Sequence, residues 1–487
     1  MSPKHLKKLS FLLGSIFLAS VSKSQSQDSI APLGQEWTLQ QCVNYAWTHN
    51  LQVKQAALTL NIAKNNFTAS KGNLLPSVNG LASHTYNFGR TIDPFTNTFA
   101  TSEVLSEDFY LQASFTIFGG LQNLNTVKQN EAAFKASGYD LQANKNTLAL
   151  SIASGYLQVL LDRELLQQAR DQHEVTIQQV EKTQKLVDAG SLAKGNLYDV
   201  QAQEANDEVN IINTENQLNM AMLGLAQQLD IDSIQLFKIA KPEITISDNP
   251  AINSPDLIYS QALTNQPDIF SSRLKWESAE DGRKAAAGAL YPKLSVSATL
   301  GTGYSGLNKE IVNSTIQGYQ VIGFASSQSA TPIPIYIPNE VYSYKLTPFS
   351  NQLTDNFNKS IGFRLSIPIF NGLQTNMAYK NAKLNAMNAE YNYETTRMNL
   401  RKSVQQAYAD AEGALKKYYA TQKSVESLKE AYNYTRARYD AGAATSLDYN
   451  TAKNNLAKAE SDLVQAKYTY VFKLKVLDYY EGKPLKL

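Results

Sequence analysis

The apolar positions of this chain change period several times, and the changes divide it. From Leu121 to Asp188 they recur at three and four: Leu121, Leu124 and Val127, then Leu141, Leu148, Ile152, Tyr156, Val159 and Leu160. With no proline in the stretch, that spacing predicts one unbroken helix about 100 Å long at roughly 1.5 Å per residue. Just before it the period is two. Phe109, Leu111, Ala113, Phe115 and Ile117 alternate with Tyr110, Gln112, Ser114 and Thr116, and Ser77 to Phe88 is a weaker case. Later, Leu294 to Leu300 and Ile361 to Ile369 alternate in the same way, and a second helical stretch follows to Asp440.

The two halves are copies. Phe118 to Phe370 and Asp188 to Asp440 are both offsets of 252, while Val53 to Ile269 and Pro76 to Pro292 are both offsets of 216. The chain is therefore a tandem duplication, and the second copy gains the difference, 36 residues, after its proline. Each copy reads helix, strand, loop, strand, long helix, turn, returning helix. The first helices are Trp37 to Lys71 and Leu257 to Ala287, stopped by Pro76 and Pro292, which lack an amide donor. The returning helices are Leu197 to Leu229 and Leu447 to Tyr480. Leu197 to Leu447 is an offset of 250, so the first turn is expected to carry two more residues than the second. The boundaries read as a first repeat over 28–229, a linker over 230–255, a second repeat over 256–481 and a tail over 482–487. The loop 304–358 is long and rich in Gly, Ser and Asn, and has room for extra strands.

Composition narrows the class. Residues 1–27 read as a secretory signal: Lys4, Lys7 and Lys8, then an apolar core from Leu9 to Val21, then Ser20, Ser22 and Ser24. Cleavage near Ser24 removes four lysines and leaves 41 basic residues against 43 acidic ones, so nothing in the charge points to nucleic acid. The one cysteine, Cys42, reads as a small apolar helix residue, and stability must come from packing. No later apolar run reaches the ~18 residues of a membrane helix. His49, His84 and His173 lie far apart, and no nucleophile elbow, phosphate loop or zinc pattern is present. No catalytic residue, cofactor or metal site is expected.

Strands of about ten residues with one apolar face suit a transmembrane barrel, although a half-buried soluble sheet alternates too. Four strands cannot close a barrel, and an open edge in a bilayer leaves amides unpaired. Two chains would supply 8 strands and three would supply 12. The long helices, rich in Asn, Gln, Ser and Thr, would line a tube. A solid coiled-coil rod would want a stricter seam.

The order of these elements, twice over, resembles the TolC-type outer-membrane efflux proteins. The resemblance rests on Leu-x-Pro, strand, loop, strand, Phe-x-Gly-Leu, the long helix, the Asp-Ala-Gly turn and a returning helix with Leu-x-x-x-x-Ala (Leu197 to Ala202, Leu447 to Ala452). It implies an α+β, mainly α, homotrimer with a 12-stranded β-barrel in the outer membrane and an α-helical barrel in the periplasm. It implies an exit duct for small molecules or proteins in a tripartite efflux pump or type I secretion system. The implied partners are a periplasmic adaptor, an inner-membrane pump of RND, ABC or MFS type, and outer-membrane lipid. The turns Asp188-Ala189-Gly190-Ser191-Leu192 and Asp440-Ala441-Gly442-Ala443-Ala444 would meet the adaptor. Asp448 stands where the family has a gate aspartate, and a second acidic gate position is Thr451 here; Asp199 is a further candidate. The alternative from another class is a tethering coiled-coil envelope protein without a pore.

Overall fold

The structure, a computed structural model, describes residues 36–100, 103–231, 237–244, 246, 252–325 and 332–485. The expected signal segment and part of the 230–255 linker lie outside them.

The first repeat runs β1 (Glu36–Trp37), α1 (Leu39–His49), α2 (Leu51–Gly72), β2 (Ser77–Asn87), a small hairpin of β3 (Thr91–Ile92) and β4 (Phe99–Ala100), β5 (Val104–Gly119), α3 (Gln122–Asp188) and α4 (Lys194–Gln228). β6 (Lys238–Ile239) follows. The second repeat runs α5 (Pro255–Asn265), α6 (Pro267–Gly288), β7 (Lys293–Ser305), β8 (Lys309–Ala325), β9 (Ile333–Leu346), α7 (Phe349–Asp355), β10 (Asn358–Ser366), α8 (Gln374–Asp440) and α9 (Ser446–Tyr480).

The duplication is visible in the lengths of the paired helices. α3 and α8 have 67 residues each, and α4 and α9 have 35 each. Three expectations change. Lys194 to Ser446 is an offset of 252, so the two turns are equally long and the expected difference of two residues is absent. Burial fixes that register: Leu197 corresponds to Tyr449, both buried, whereas Leu447 is 73% exposed. Each expected first helix is also two helices, broken at the same repeat position, Asn50 and Gln266. Asn50 is extended, and its side chain accepts from Gln52 N and Val53 N as the cap of α2. Gln266 is extended because Pro267 follows it and opens α6. Finally, β10 ends at Ser366, short of the expected Ile369, because Pro368 has no amide to give a ladder.

The elements form one curved wall. The upper helical layer runs α2, α3, α6, α8 in space, and the lower layer runs α4, α3, α9, α8. The main core lies where they meet. Ile152, Tyr156, Val159 and Leu160 of α3 pack on Cys42 and Ala46 of α1, on Leu225 and Ala226 of α4, and on Ile239. There β1 and β6 pair in parallel, and the Tyr156 hydroxyl donates to the Ala240 carbonyl at 2.6 Å. Burial pushes the Cys42 thiol up to about 12, which keeps it inert. The second copy has a smaller equivalent core of Ile258, Ala262, Val404, Ala411 and Leu477. Cys42 and Ile258 occupy the same repeat position, both fully buried.

Strand enters long helix through two consecutive left-handed residues in each copy. Gly120 and Leu121 have φ of 62° and 62°, and Gly372 and Leu373 have 65° and 64°. The glycine takes the first of these at no steric cost. It also permits close approach: a Cβ on Gly120 would overlap the Gly288 carbonyl, and a Cβ on Gly288 would lie 2.6 Å from the Gly120 oxygen.

Candidate functional site

The four long strands form one antiparallel sheet in the order β10-β7-β5-β2. Its register aligns polarity across all four strands. Val78, Ala113, Ala298 and Ile361 fall in one row, and Asn79, Gln112, Thr299 and Ser360 fall in the next. Through the middle of the sheet one face is therefore apolar and the other polar, while towards the outer end the rows mix, with Lys359 and the His84–Glu107 pair on the apolar side and Leu81 and Tyr110 on the polar side. The short α7 reaches the outer end of the apolar face, where Phe349 meets Phe109 and Tyr304, but most of the face is uncovered: Val78 is 61% exposed, Ile361 73% and Phe363 72%. A soluble half-buried sheet would bury that face. Left bare in water, so large an apolar surface would aggregate, whereas a bilayer is the solvent that fits it. β5 and β7, with 16 and 13 residues, exceed the roughly 9–11 that cross a bilayer. Among the described residues no helix is long and apolar enough to do so. Both sheet edges, β2 and β10, are unpaired among the described residues.

At the other end lie the two helix turns, and their geometry is the same. Gly190 N–H donates to the Val187 carbonyl (2.9 Å) and Ser191 N–H to the Leu186 carbonyl (2.8 Å). Gly442 N–H donates to Tyr439 (3.0 Å) and Ala443 N–H to Arg438 (2.8 Å). These are Schellman closures, and φ is 73° at Gly190 and 74° at Gly442. The packing beneath them differs. The first turn rests on aliphatic Leu197. The second rests on Tyr449, stacked on Tyr439 at 5.0 Å and sharing a hydroxyl contact of 3.2 Å with Tyr432.

The acids expected at this tip have individual employments. Asp448 is exposed, and its carboxylate accepts from Thr445 N (3.1 Å) and Thr445 Oγ1 (2.8 Å) in a capping box that starts α9. Those bonds, the backbone N–H first, hold its carboxyl below the usual range. Asp199 accepts from Ser446 Oγ at 3.2 Å, which joins the two turns. In the corrected register Asp199 corresponds to Thr451, which is exposed, and Asp448 to Asn196. Asp188 accepts from Gln184 (2.8 Å), while its repeat counterpart Asp440 makes an ion pair with Lys182 (2.6 Å) that crosses from one long helix to the other.

Sequence reasoning passed over a buried network above the tip. Lys453 of α9 is 3% exposed; it donates to Thr176 Oγ1 of α3 and lies 3.6 Å from Asp207 of α4. Thr176 donates to Asp207, and Gln203 Nε2 does so at 2.7 Å. Burial, only partly offset by Asp207, lowers the Lys453 ammonium below its ordinary value. The signal was present in the spacing: Lys453 lies four residues after buried Tyr449, and Asp207 seven after buried Val200. Both charges thus sit on apolar faces. Among the described residues no cluster of His, Cys, Asp and Glu could hold a metal.

A family model described as outer membrane efflux protein matches residues 43–229 and 258–478, the two repeats in turn. The chain belongs to that family. Outer membrane protein TolC of Escherichia coli (strain K12) is 22% identical over 453 residues, covering 92% of this chain and 82% of its own. The pyoverdine export outer membrane protein OpmQ of Pseudomonas aeruginosa is 24% identical over 392 residues, covering 76% and 69%. Two solved structures share the fold of this efflux-family chain. One is CusC, with a TM-score of 0.74 and 18% identity over 93% of this chain and 94% of its own. The other is VceC of Vibrio cholerae, at 0.73 and 17% over 91% and 96%. The efflux family is one of channel proteins rather than enzymes.

Proposed function

We propose that three copies of this chain close into an exit duct through the outer membrane, fed by a periplasmic adaptor and an inner-membrane pump. The observation that carries this reading is an asymmetry between two copies of one helix. α3 and α8 are equal in length and repeat position, yet sixteen residues of α3 are buried and only five of α8. α3 has a neighbour on each side, while α8 ends the wall and exposes Leu384, Tyr391 and Met398. The opposite end of the wall, α2, exposes Leu58 and Ile62. The junction that β5 and α3 make with β7 and α6 inside the chain is the template for β10 and α8 meeting β2 and α2 of the next chain. Gly120 and Gly288 touch within the chain, but their counterparts Gly372 and Gly72 have nothing within 4 Å. Repeating the junction around an axis satisfies both edges. Three chains, the number the family resemblance implies, then give 12 strands, with apolar residues facing lipid and polar residues facing the bore.

The two turns are the surface offered to the adaptor, and Asp448 with Asp199 is the acidic pair at the closed end. Small molecules and proteins are both compatible with this reading as cargo, and so are RND, ABC and MFS pumps as partners. A pore-less tether is disfavoured by the bare apolar face of the sheet. Reconstitution in planar bilayers decides between them: a duct passes current in discrete steps, and silence from a verified trimer under all voltages would defeat the reading.

A further inference from the structure

The 36 extra residues of the second copy do not form a polar loop. β8 and β9 make a two-stranded ribbon rising from the helix-distal end of the sheet, and among the described residues no other element packs extensively on it. Its 14-residue strand β9 spans about 45 Å at roughly 3.3 Å per residue. The base is rigid. Gln352 is fully buried; it receives Ser305 N–H at 2.9 Å and donates to the Ser305 and Thr347 carbonyls at 3.1 and 2.9 Å. Ser305 in turn donates to buried Asp93 of the first copy. These bonds tie the base of the ribbon to the sheet.

All three irregularities of register lie on β8, so β9 is continuous and its even-numbered residues share one face. That face carries Tyr336, Tyr342 and Tyr344, with Ile311, Tyr319 and Phe324 paired to them or to their neighbours. Tyr319 is 70% exposed and Phe324 66%. The paired positions of the opposite face bear no aromatic residue and are polar near the base, as at Ser343 and Asn313.

We infer that in the assembled duct the three ribbons pack against one another through this tyrosine-bearing face, forming a turret above the outer mouth. The inference rests on the trimer proposed above. Four features select another copy as the occupant. The only charged residues in 309–346 are Lys309, Glu310, Glu340 and Lys345, which sum to zero, so identical ribbons do not repel. The same neutrality offers nothing to a charged lipid headgroup. Pro334 and Pro338 discourage edge pairing along β9. A face about 45 Å long and two strands wide offers roughly 450 Å² per copy. Each pairwise contact is then small, about 450 Å² in total, and is supported by the high local concentration of a shared rim.

The test uses single cysteines in the full chain, since buried Cys42 gives no background. Tyr336→Cys and Tyr344→Cys lie on the face, and Ser343→Cys lies on the other. Native mass in detergent first verifies the trimer for each. Copper-phenanthroline oxidation of intact cells should then yield disulfide-linked dimers at Tyr336→Cys and Tyr344→Cys, at least tenfold more than at Ser343→Cys. Trimers whose face cysteines stay unlinked would overturn the inference. Labelling of those thiols by a membrane-impermeant maleimide would then mean a free face, and shielding would mean a different occupant. A monomeric mass would overturn the duct reading itself, and the turret with it.

Discussion

At the scale of single residues, the two turn glycines hold backbone that other residues resist. Nothing lies within 4 Å of a Cβ placed on Gly190 or Gly442, so the penalty of substitution is conformational only. Gly190→Ala and Gly442→Ala should each destabilise by about 1 kcal/mol, equally in both copies, as read by thermal unfolding. The double change to valine should lower export while the barrel still assembles; unchanged export would remove the turns from the adaptor contact. Asp448 needs a finer comparison, because its carboxylate caps α9 and also bears charge. Its folded value is depressed, so its contribution to stability is present above the ordinary carboxylate range and is lost as pH falls through the folded value. Asp448→Asn keeps an acceptor for Thr445 and removes the charge. Single-channel recordings of that variant should show weaker block by divalent cations with the helix intact. If block is unchanged in Asp448→Asn and reduced in Asp199→Ala, the acid of the closed end is Asp199.

At the scale of elements, Lys453, Thr176 and Asp207 tie α9, α3 and α4 together out of reach of water. A buried pair contributes little net stability, yet halving it is costly because one charge remains unpaired. Asp207→Ala should lose about 3–5 kcal/mol, whereas Asp207→Leu combined with Lys453→Met should be near neutral. The pH dependence has a definite sign. The folded ammonium value lies below the unfolded one, so the unfolded chain binds more protons in between. Stability should therefore rise with pH across that window, up to about 10.5, and the rise should vanish in Lys453→Met. Denaturant unfolding between pH 7 and 10 measures it, and an identical slope in the variant would refute the assignment.

At the scale of the whole molecule, the glycine pair offers a test that the isolated chain cannot pass by accident. Gly288→Ala must push against the Gly120 backbone, and should cost about 1–3 kcal/mol in the fold itself. Gly72→Ala meets nothing in the chain and sits at the end of a helix, where alanine is welcome. It should leave the chain folded and weaken the trimer, seen as monomer in native mass spectra at detergent concentrations where the parent stays trimeric. A trimer as firm as the parent's would mean that the in-chain junction is not repeated between chains.

Much of this was written in one dimension. Periods of 3.6 and 2, punctuated by Pro76, Gly120 and Gly190 and by their counterparts, determine the element types, their order and the duplication. These are local matters of backbone dihedrals and of which face is apolar. The register between repeats was not local. Leu197 matched Leu447 by identity, but only packing reveals that Tyr449 occupies the buried position. The breaks at Asn50 and Gln266 were legible as a cap and a pre-proline residue, yet continuous apolar spacing hid them. The ribbon was hidden because bulges on β8 scramble its alternation. The buried lysine and aspartate were ordinary helix charges until three helices converged on them. Sequence determines what each segment is, because a residue carries its own dihedral preference and polarity. Only the tertiary structure decides which segments meet, because contact depends on distances between residues far apart in the chain.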